Sequence, residues 1–97
     1  MISRELGDQT AIAYLIEDYS GVAAAESQPQ RALELAGFAA ALRESIGAPL
    51  PPSEQNRVDR MIAPAREALP EASATAAWET GRSMGLEQAI ELALASR

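Results

Sequence analysis

The side chains that could do chemistry in this sequence are carboxylates, arginines and hydroxyls, because it contains no histidine, no cysteine and no lysine. A serine nucleophile needs a neighbouring base, which histidine or lysine usually supplies. Ser53, Ser73 and Ser83 therefore have no residue of either type to activate them. Without thiols and imidazoles, only carboxylate oxygens could bind a metal ion, and they suit hard cations. The composition excludes nucleophilic catalysis and predicts no cofactor.

Paired carboxylates are the next possible kind of site. Glu17 and Asp18 are adjacent, and adjacent positions on a helix diverge, so we expect a solvated face instead of two groups converging on a substrate. Two other pairs are spaced four residues apart: Glu67 with Glu71, and Glu87 with Glu91. Like charges at this spacing slightly destabilise a helix. We expect solvated surface for these pairs too, with a metal ion or a basic partner as the less favoured alternative.

Two arginines have a glutamate three residues away: Arg31 with Glu34, and Arg82 with Glu79. This spacing is typical of exposed ion pairs along one helix, each worth only tenths of a kcal/mol. We expect surface ion pairs at both places. Neither pair indicates a functional site.

The large aromatic side chains are few, at 4% of the chain. Tyr14, Tyr19 and Trp78 are expected to act as packing anchors in a core that is otherwise poor in large residues. A small-molecule pocket lined by Trp78 is the alternative interpretation.

Length and charge limit the remaining function classes. The chain of 97 residues, 47% of them hydrophobic, is enough for one domain over 1–97 with one modest core. A net charge of -6 with scattered arginines argues against nucleic-acid binding. No apolar run approaches the roughly 20 residues that span a bilayer, and the first residues do not resemble a signal peptide. The sequence thus predicts a cytoplasmic protein that contacts neither nucleic acid nor membrane.

Apolar residues recur at three- and four-residue intervals, which predicts helices throughout. In the first half we predict a helix over 8–26, capped by Asp8 after Gly7 has ended a short helical tail. A second helix is predicted over 29–46, opening at Pro29. The apolar stripe of the first helix comprises Ile12, Leu15, Ile16, Tyr19, Val22 and Ala23.

Two further features of these helices indicate close neighbours. Gly21 costs the first helix about 1 kcal/mol relative to alanine, so we expect a close backbone contact with another helix there. The second helix is apolar on more than one side, which predicts burial between two neighbours.

Prolines punctuate the second half. A stiff connector is predicted over 47–52, followed by three helices within 53–96. Ser53 is expected to cap the third helix. Pro64 is expected to kink or break that helix near Ile62 and Ala63, because it removes one backbone hydrogen bond.

The last two helices are predicted from Pro70 and Glu71 to about Gly81–Gly85, and from about Leu86 to Ser96. In the final helix the residues expected to face inward are Leu86, Ala89, Ile90, Ala93 and Leu94.

The hairpin over 8–46 resembles a tetratricopeptide repeat, with Ala32 at the small position of its second helix. The whole chain resembles the C-terminal segment of LuxR-type and AfsR-like ATPase transcriptional regulators, whose tetratricopeptide arrays end in such helices. The matching segments are Arg4 to Asp8, Gln28 to Ala32, Ala41 to Glu44, Ile46 to Pro52, Trp78 with Glu79, Gly81 with Arg82, and Leu86 to Ile90. The resemblance implies an all-α fold of about five helices, a tetratricopeptide-like hairpin followed by a short three-helix cap. It carries over no catalytic residue.

These observations predict a non-catalytic protein–protein interaction or scaffold module, the terminal part of a signalling regulator's helical array. One following helix cannot cover the stripe on 8–26, so Ile12, Leu15, Ile16 and Tyr19 form the candidate interface. The expected occupant is a partner protein or a second copy, as in a homo-oligomer. The alternative is a sensing domain that binds a small molecule near Trp78, between the hairpin and the C-terminal helices. An enzyme is not expected.

Overall fold

The computed structural model describes residues 2–95, with side chains from residue 8 onward, and this part of the chain contains helices and no strand. The five helices are α1 (Ile2–Ala25), α2 (Pro29–Ile46), α3 (Pro52–Ala68), α4 (Glu71–Arg82) and α5 (Leu86–Leu94). The all-α class and the number of helices are therefore confirmed.

Helix α2 lies at the centre of the molecule and contacts all four other helices. The prediction that it is buried on two sides is confirmed. On one side a cluster of mostly small residues joins α2 to α1, α3 and α4: Ala23, Ala32, Leu33, Ala36, Ile62, Ala65, Ala74 and Ala77. On the other side a second cluster joins α2 to α1 and α5: Ile16, Leu35, Phe38, Ala39, Ala89 and Ala93.

Glycines bring α2 and α4 into backbone contact. A Cβ atom added at Gly37 would overlap the Trp78 carbonyl oxygen, and one at Gly81 would overlap the Glu34 carbonyl oxygen. The prediction of a close backbone contact at Gly21 is wrong, because the atoms nearest to an added Cβ belong to the flexible side chain of Met61. The tight helix crossing lies between α2 and α4 instead.

Several predicted helix ends are confirmed. Helix α2 has the predicted bounds and stops at Gly47, whose φ of 66° is the left-handed conformation that glycine adopts without strain. Helix α4 begins after Pro70, and its end at Arg82 lies at the predicted place. The proline-rich connector leaves helical geometry from Gly47 to Pro51.

Two predictions about helix starts are wrong, and of the kink or break expected at Pro64 the break does not occur. Helix α1 runs through Gly7, so Asp8 is not a cap; a single glycine costs too little to end a long helix. Helix α3 begins at Pro52, whose fixed φ suits the first helical position, so Ser53 lies inside the first turn. The same helix continues past Pro64 without a break, held by burial of Val58 and other residues on its inner face.

Candidate protein-interaction surface

The four residues of the candidate interface lie together on α1 but differ in burial. Ile16 is buried, with 2% of its surface exposed, and belongs to the second core cluster. Ile12 and Tyr19 are half-buried against that cluster. Leu15 is 54% exposed. One edge of the stripe therefore packs into the core, and the other faces outward.

An apolar groove runs between α1 and α5. We call it the α1–α5 groove; its lining residues are Ile12, Leu15, Ile16, Tyr19, Ile90, Ala93 and Leu94. Its volume is about 150 Å³, similar to a cavity that accommodates one benzene-sized group. All four candidate interface residues are brought together here, and no lining residue carries a charge.

Helix α5 supplies the other wall of the groove, and its orientation corrects a prediction. Ala89 and Ala93 are buried as expected, but Leu86, Ile90 and Leu94 are exposed, Leu94 to 63%. The small alanine side chains let α5 approach the core closely, and no described helix lies over its opposite side. The row Leu86–Ile90–Leu94 is therefore available for contacts outside the described part of the molecule.

Large exposed apolar side chains occur only on these two helices within the described residues. They are Tyr14, Leu15 and Val22 on α1, and Leu86, Ile90 and Leu94 on α5. Tyr14 is set apart from the others, because the Arg43 guanidinium lies 4.5 Å from its ring centre and its hydroxyl is 3.3 Å from Glu54 Oε1. The remaining five have no such contact.

Arg31 fixes the end of α5 that borders the groove. Its Nε and Nη2 donate to the carbonyl oxygens of Leu92 at 2.8 Å and Ala93 at 2.7 Å, and its Nη1 donates to Gln28. A cation at a helix C-terminus satisfies carbonyls that lack a helical partner. The predicted pair of Arg31 with Glu34 is therefore wrong, because the Arg31 guanidinium binds these carbonyls of α5 instead.

A buried ion pair links α1 to α2 and corrects the expectation that Glu17 is solvated. Glu17 is 3% exposed, and Arg43 donates to both of its carboxylate oxygens, at 2.6 and 3.1 Å. Arg43 also donates to the Ala48 carbonyl. The hydrogen bond that Arg43 donates to Glu17 raises the pKa of Arg43 above its ordinary value, although burial opposes the shift. Asp18 is exposed, as expected.

The arginine predicted to pair with Glu79 contacts a different helix. Arg82 donates to both carboxylate oxygens of Glu44 on α2, at 2.8 and 3.0 Å. This hydrogen-bonded pair lowers the pKa of the Glu44 carboxyl and raises that of the Arg82 guanidinium. The residues of the two pairs are 26 and 38 positions apart in the sequence, so local spacing gave no signal for either pair.

Trp78 packs beside the first core cluster, and the Arg66 guanidinium lies 4.9 Å from its ring centre. The space beside it, which Ile62 also lines, has a volume of about 40 Å³. Pockets that bind small molecules usually have volumes of about 300 to 1,000 Å³. A larger hollow of about 410 Å³ lies between α2, the connector and α3, where Gln55 and Leu50 line it.

The carboxylates do not assemble into a metal site in the described part of the chain, where no group of three or more potential ligands is close enough together. Glu67 and Glu71 lie on different helices, α3 and α4. Glu87 and Glu91 share α5 and are both exposed. Across residues 2–95, no helix is long and apolar enough to cross a membrane.

Comparison with protein-family models, curated proteins and solved structures finds no match to this chain.

Proposed function

We propose that this chain is a non-catalytic protein–protein interaction module that binds its partner through the α1–α5 groove. The observation that carries this proposal is the confinement of exposed large apolar side chains to the two helices that form the groove. Contiguous apolar surface of this kind is typical of interaction sites, whereas single exposed apolar residues are common everywhere.

The chemistry of the surface also supports binding over catalysis. Apart from the phenol of Tyr19, the groove is lined by aliphatic side chains, so it offers a substrate no pair of converging acid, base or nucleophilic groups. The buried charged groups of the described core, Glu17 and Arg43, neutralise each other within 2.6 Å. Among the described residues, no three carboxylates come close enough together to form a metal site.

On a broader level, we propose that the chain serves as the terminal helical part of a signalling or transcriptional regulator in the cytoplasm. The support for this is the resemblance of segments such as Ile46 to Pro52 to the ends of such regulators. Self-association through the groove is one form that the interaction can take, since the exposed rows on α1 and α5 are repeated on every copy.

Site-specific photo-crosslinking tests the proposal. A photoreactive amino acid at Leu15 or Leu94 should form a covalent adduct with a bound protein in cells, and the same group at the exposed Arg57 on α3 serves as the control. An adduct of twice the 10.3 kDa chain mass indicates self-association, and any other mass indicates a different partner. Equal or absent crosslinking at all three positions contradicts the proposal.

A second candidate function is small-molecule sensing, which the 410 Å³ hollow favours over the smaller space at Trp78. A ligand there would contact Arg43 and Gln55 and should raise the melting temperature of the protein. A metabolite screen by thermal shift measures this. A hit that loses its effect in Gln55→Ala would support sensing at this hollow.

A further inference from the structure

Acidic side chains border the α1–α5 groove on both sides. On α1, Asp18 follows Leu15 by three residues and precedes Val22 by four, so the three share one row of the helix surface. On α5, Glu87 and Glu91 each lie three residues before an exposed apolar residue of the groove, Ile90 or Leu94.

Asp8 completes this border, four residues before Ile12 at one end of the groove. We call the four exposed carboxylates the acidic rim: Asp8, Asp18, Glu87 and Glu91. Residues 8–25 of α1 and all of α5 contain no basic side chain. Among the described side chains, the arginine nearest to α5 is Arg31, and its guanidinium is engaged with the carbonyls of Leu92 and Ala93.

We infer that the occupant of the α1–α5 groove is an amphipathic helix of another protein, with apolar residues on one face and arginines or lysines on both flanks. This inference rests on the proposed function and names the chemistry of its partner. Helices that bind in grooves insert apolar residues spaced i, i+4 and i+7, while flanking charges match those of the receptor.

The dimensions of the surface fit such a segment. Leu86, Ile90 and Leu94 form a row of three residues over about 12 Å, since an α-helix rises 1.5 Å per residue. Three apolar residues at i, i+4 and i+7 span about 10 Å, so one short helix can contact the whole row. Its basic flanks would then lie beside Asp18 on one side and Glu87 on the other.

The rim also argues against a second copy as the preferred occupant. A two-fold contact would bring the carboxylates of one chain towards those of the other, and like charges at an interface are unfavourable. Glu87 and Glu91 already repel each other at four-residue spacing on α5. A basic helix relieves this repulsion, and an acidic second copy adds to it.

Binding of designed peptides tests the inference directly. Two fluorescently labelled helical peptides would share leucines at i, i+4 and i+7, with arginines on the flanks of one and glutamates on the flanks of the other. By fluorescence anisotropy, the basic peptide should bind at least about tenfold more tightly, and added salt should reduce the difference. Leu94→Gln should weaken the binding of the basic peptide.

Charge reversal supplies the matched control on the protein. Glu91→Arg should reduce the preference for the basic peptide severalfold, whereas Glu67→Arg, an exposed position on α3, should leave it unchanged although both alter net charge equally. Circular dichroism of each variant checks that the helical content is retained.

The outcomes separate this inference from the proposed function. If both peptides bind equally at the groove, the groove remains a binding surface and the inference about charge is wrong. If neither peptide binds but photo-crosslinking from Leu94 joins two copies, a second copy is the occupant and the inference is also overturned. Absence of both kinds of binding contradicts the inference and the proposed function together.

Discussion

Helices α4 and α5 lie against the same central helix, α2, but the two contacts are built differently. Between α2 and α4, Gly37 and Gly81 remove side chains so that the backbones touch. Between α2 and α5, the buried contacts are made by Ala89 and Ala93, and the large residues of α5 lie outside them. The first contact leaves no space for a partner. The second leaves Ile90 and Leu94 exposed, and they form one wall of the α1–α5 groove.

Charges follow the same division. Away from the groove, two ion pairs join helices: Glu17 with Arg43, and Glu44 with Arg82. Around the groove, none of the four rim carboxylates takes part in a hydrogen bond or ion pair among the described side chains. The difference supports the proposal that the contacts which stabilise the fold and the surface which binds a partner lie on opposite sides of α2. Substitutions on the side of α2 away from the groove should therefore destabilise the fold, and those at the groove should alter binding.

The largest effect is expected at the buried ion pair. Arg43→Met leaves the Glu17 carboxylate buried without its partner and should lower the free energy of unfolding by about 3 to 5 kcal/mol. Replacing both residues, as Glu17→Leu with Arg43→Met, should recover most of that loss. Urea denaturation measures all three proteins. A single variant as stable as the wild type would contradict the assignment of a buried pair.

The glycine contact between α2 and α4 should come next. Gly81→Ala places a methyl group against the Glu34 backbone, which cannot move aside, and should cost about 3 kcal/mol. The matched control is Gly21→Ala on α1, where the flexible Met61 side chain can shift and alanine favours the helix. Thermal unfolding should show a much smaller change for the control. Equal losses would mean that the α2–α4 crossing is looser than described.

A substitution of Arg31 tests how strongly this side chain holds α5 in place. Arg31→Ala removes two charge-assisted hydrogen bonds to the end of α5 and should lower stability by about 2 kcal/mol. Hydrogen exchange should become faster in α5 than in α4. The exposed Arg57→Ala provides the control, with little change expected in either helix. Uniform acceleration in α4 and α5 would show that Arg31 supports the whole fold.

The smallest effect is expected at the exposed pair of Glu44 and Arg82. Because the hydrogen bond lowers the pKa of Glu44 in the folded protein, its stabilising contribution is present at neutral pH and is lost as the pH falls through that lowered pKa. Glu44→Gln should therefore be slightly less stable than the wild type at neutral pH and equal to it in acid. Chemical denaturation at several pH values measures the difference. A gap that widens in acid would contradict this sign.

Local signals predicted much of the fold. Prolines and Gly47 define the helix ends from the start of α2 to the start of α4, because their backbone preferences act within one or two residues. Three-residue spacing failed for Arg31 and Arg82, since groups on other helices compete for a guanidinium more effectively than a flexible neighbour on the same helix. The residues around Glu17 in the sequence do not indicate that it is buried in an ion pair with Arg43, 26 positions away.

The candidate site was predictable on α1 and only partly on α5. The stripe that contains Ile16 and Leu15 is visible as helical spacing, so one wall of the groove follows from the sequence. The same spacing on α5 places Ala93 and Leu94 in one broad apolar face, and it does not show which edge turns inward. That choice depends on how closely α5 approaches Phe38 on α2, which is a property of tertiary packing.

The most direct test measures the free energy of unfolding of the double variant Leu15→Gln with Leu94→Gln. It asks whether the exposed leucines of the α1–α5 groove are available to a partner or instead stabilise the fold as core residues do. Both side chains are more than half exposed, and glutamine suits a helix nearly as well as leucine, so we predict a loss below about 1 kcal/mol. Leu35→Ala, which truncates a fully buried side chain, should cost about 2 to 5 kcal/mol as the reference. A loss in the double variant as large as that of the reference would contradict the account.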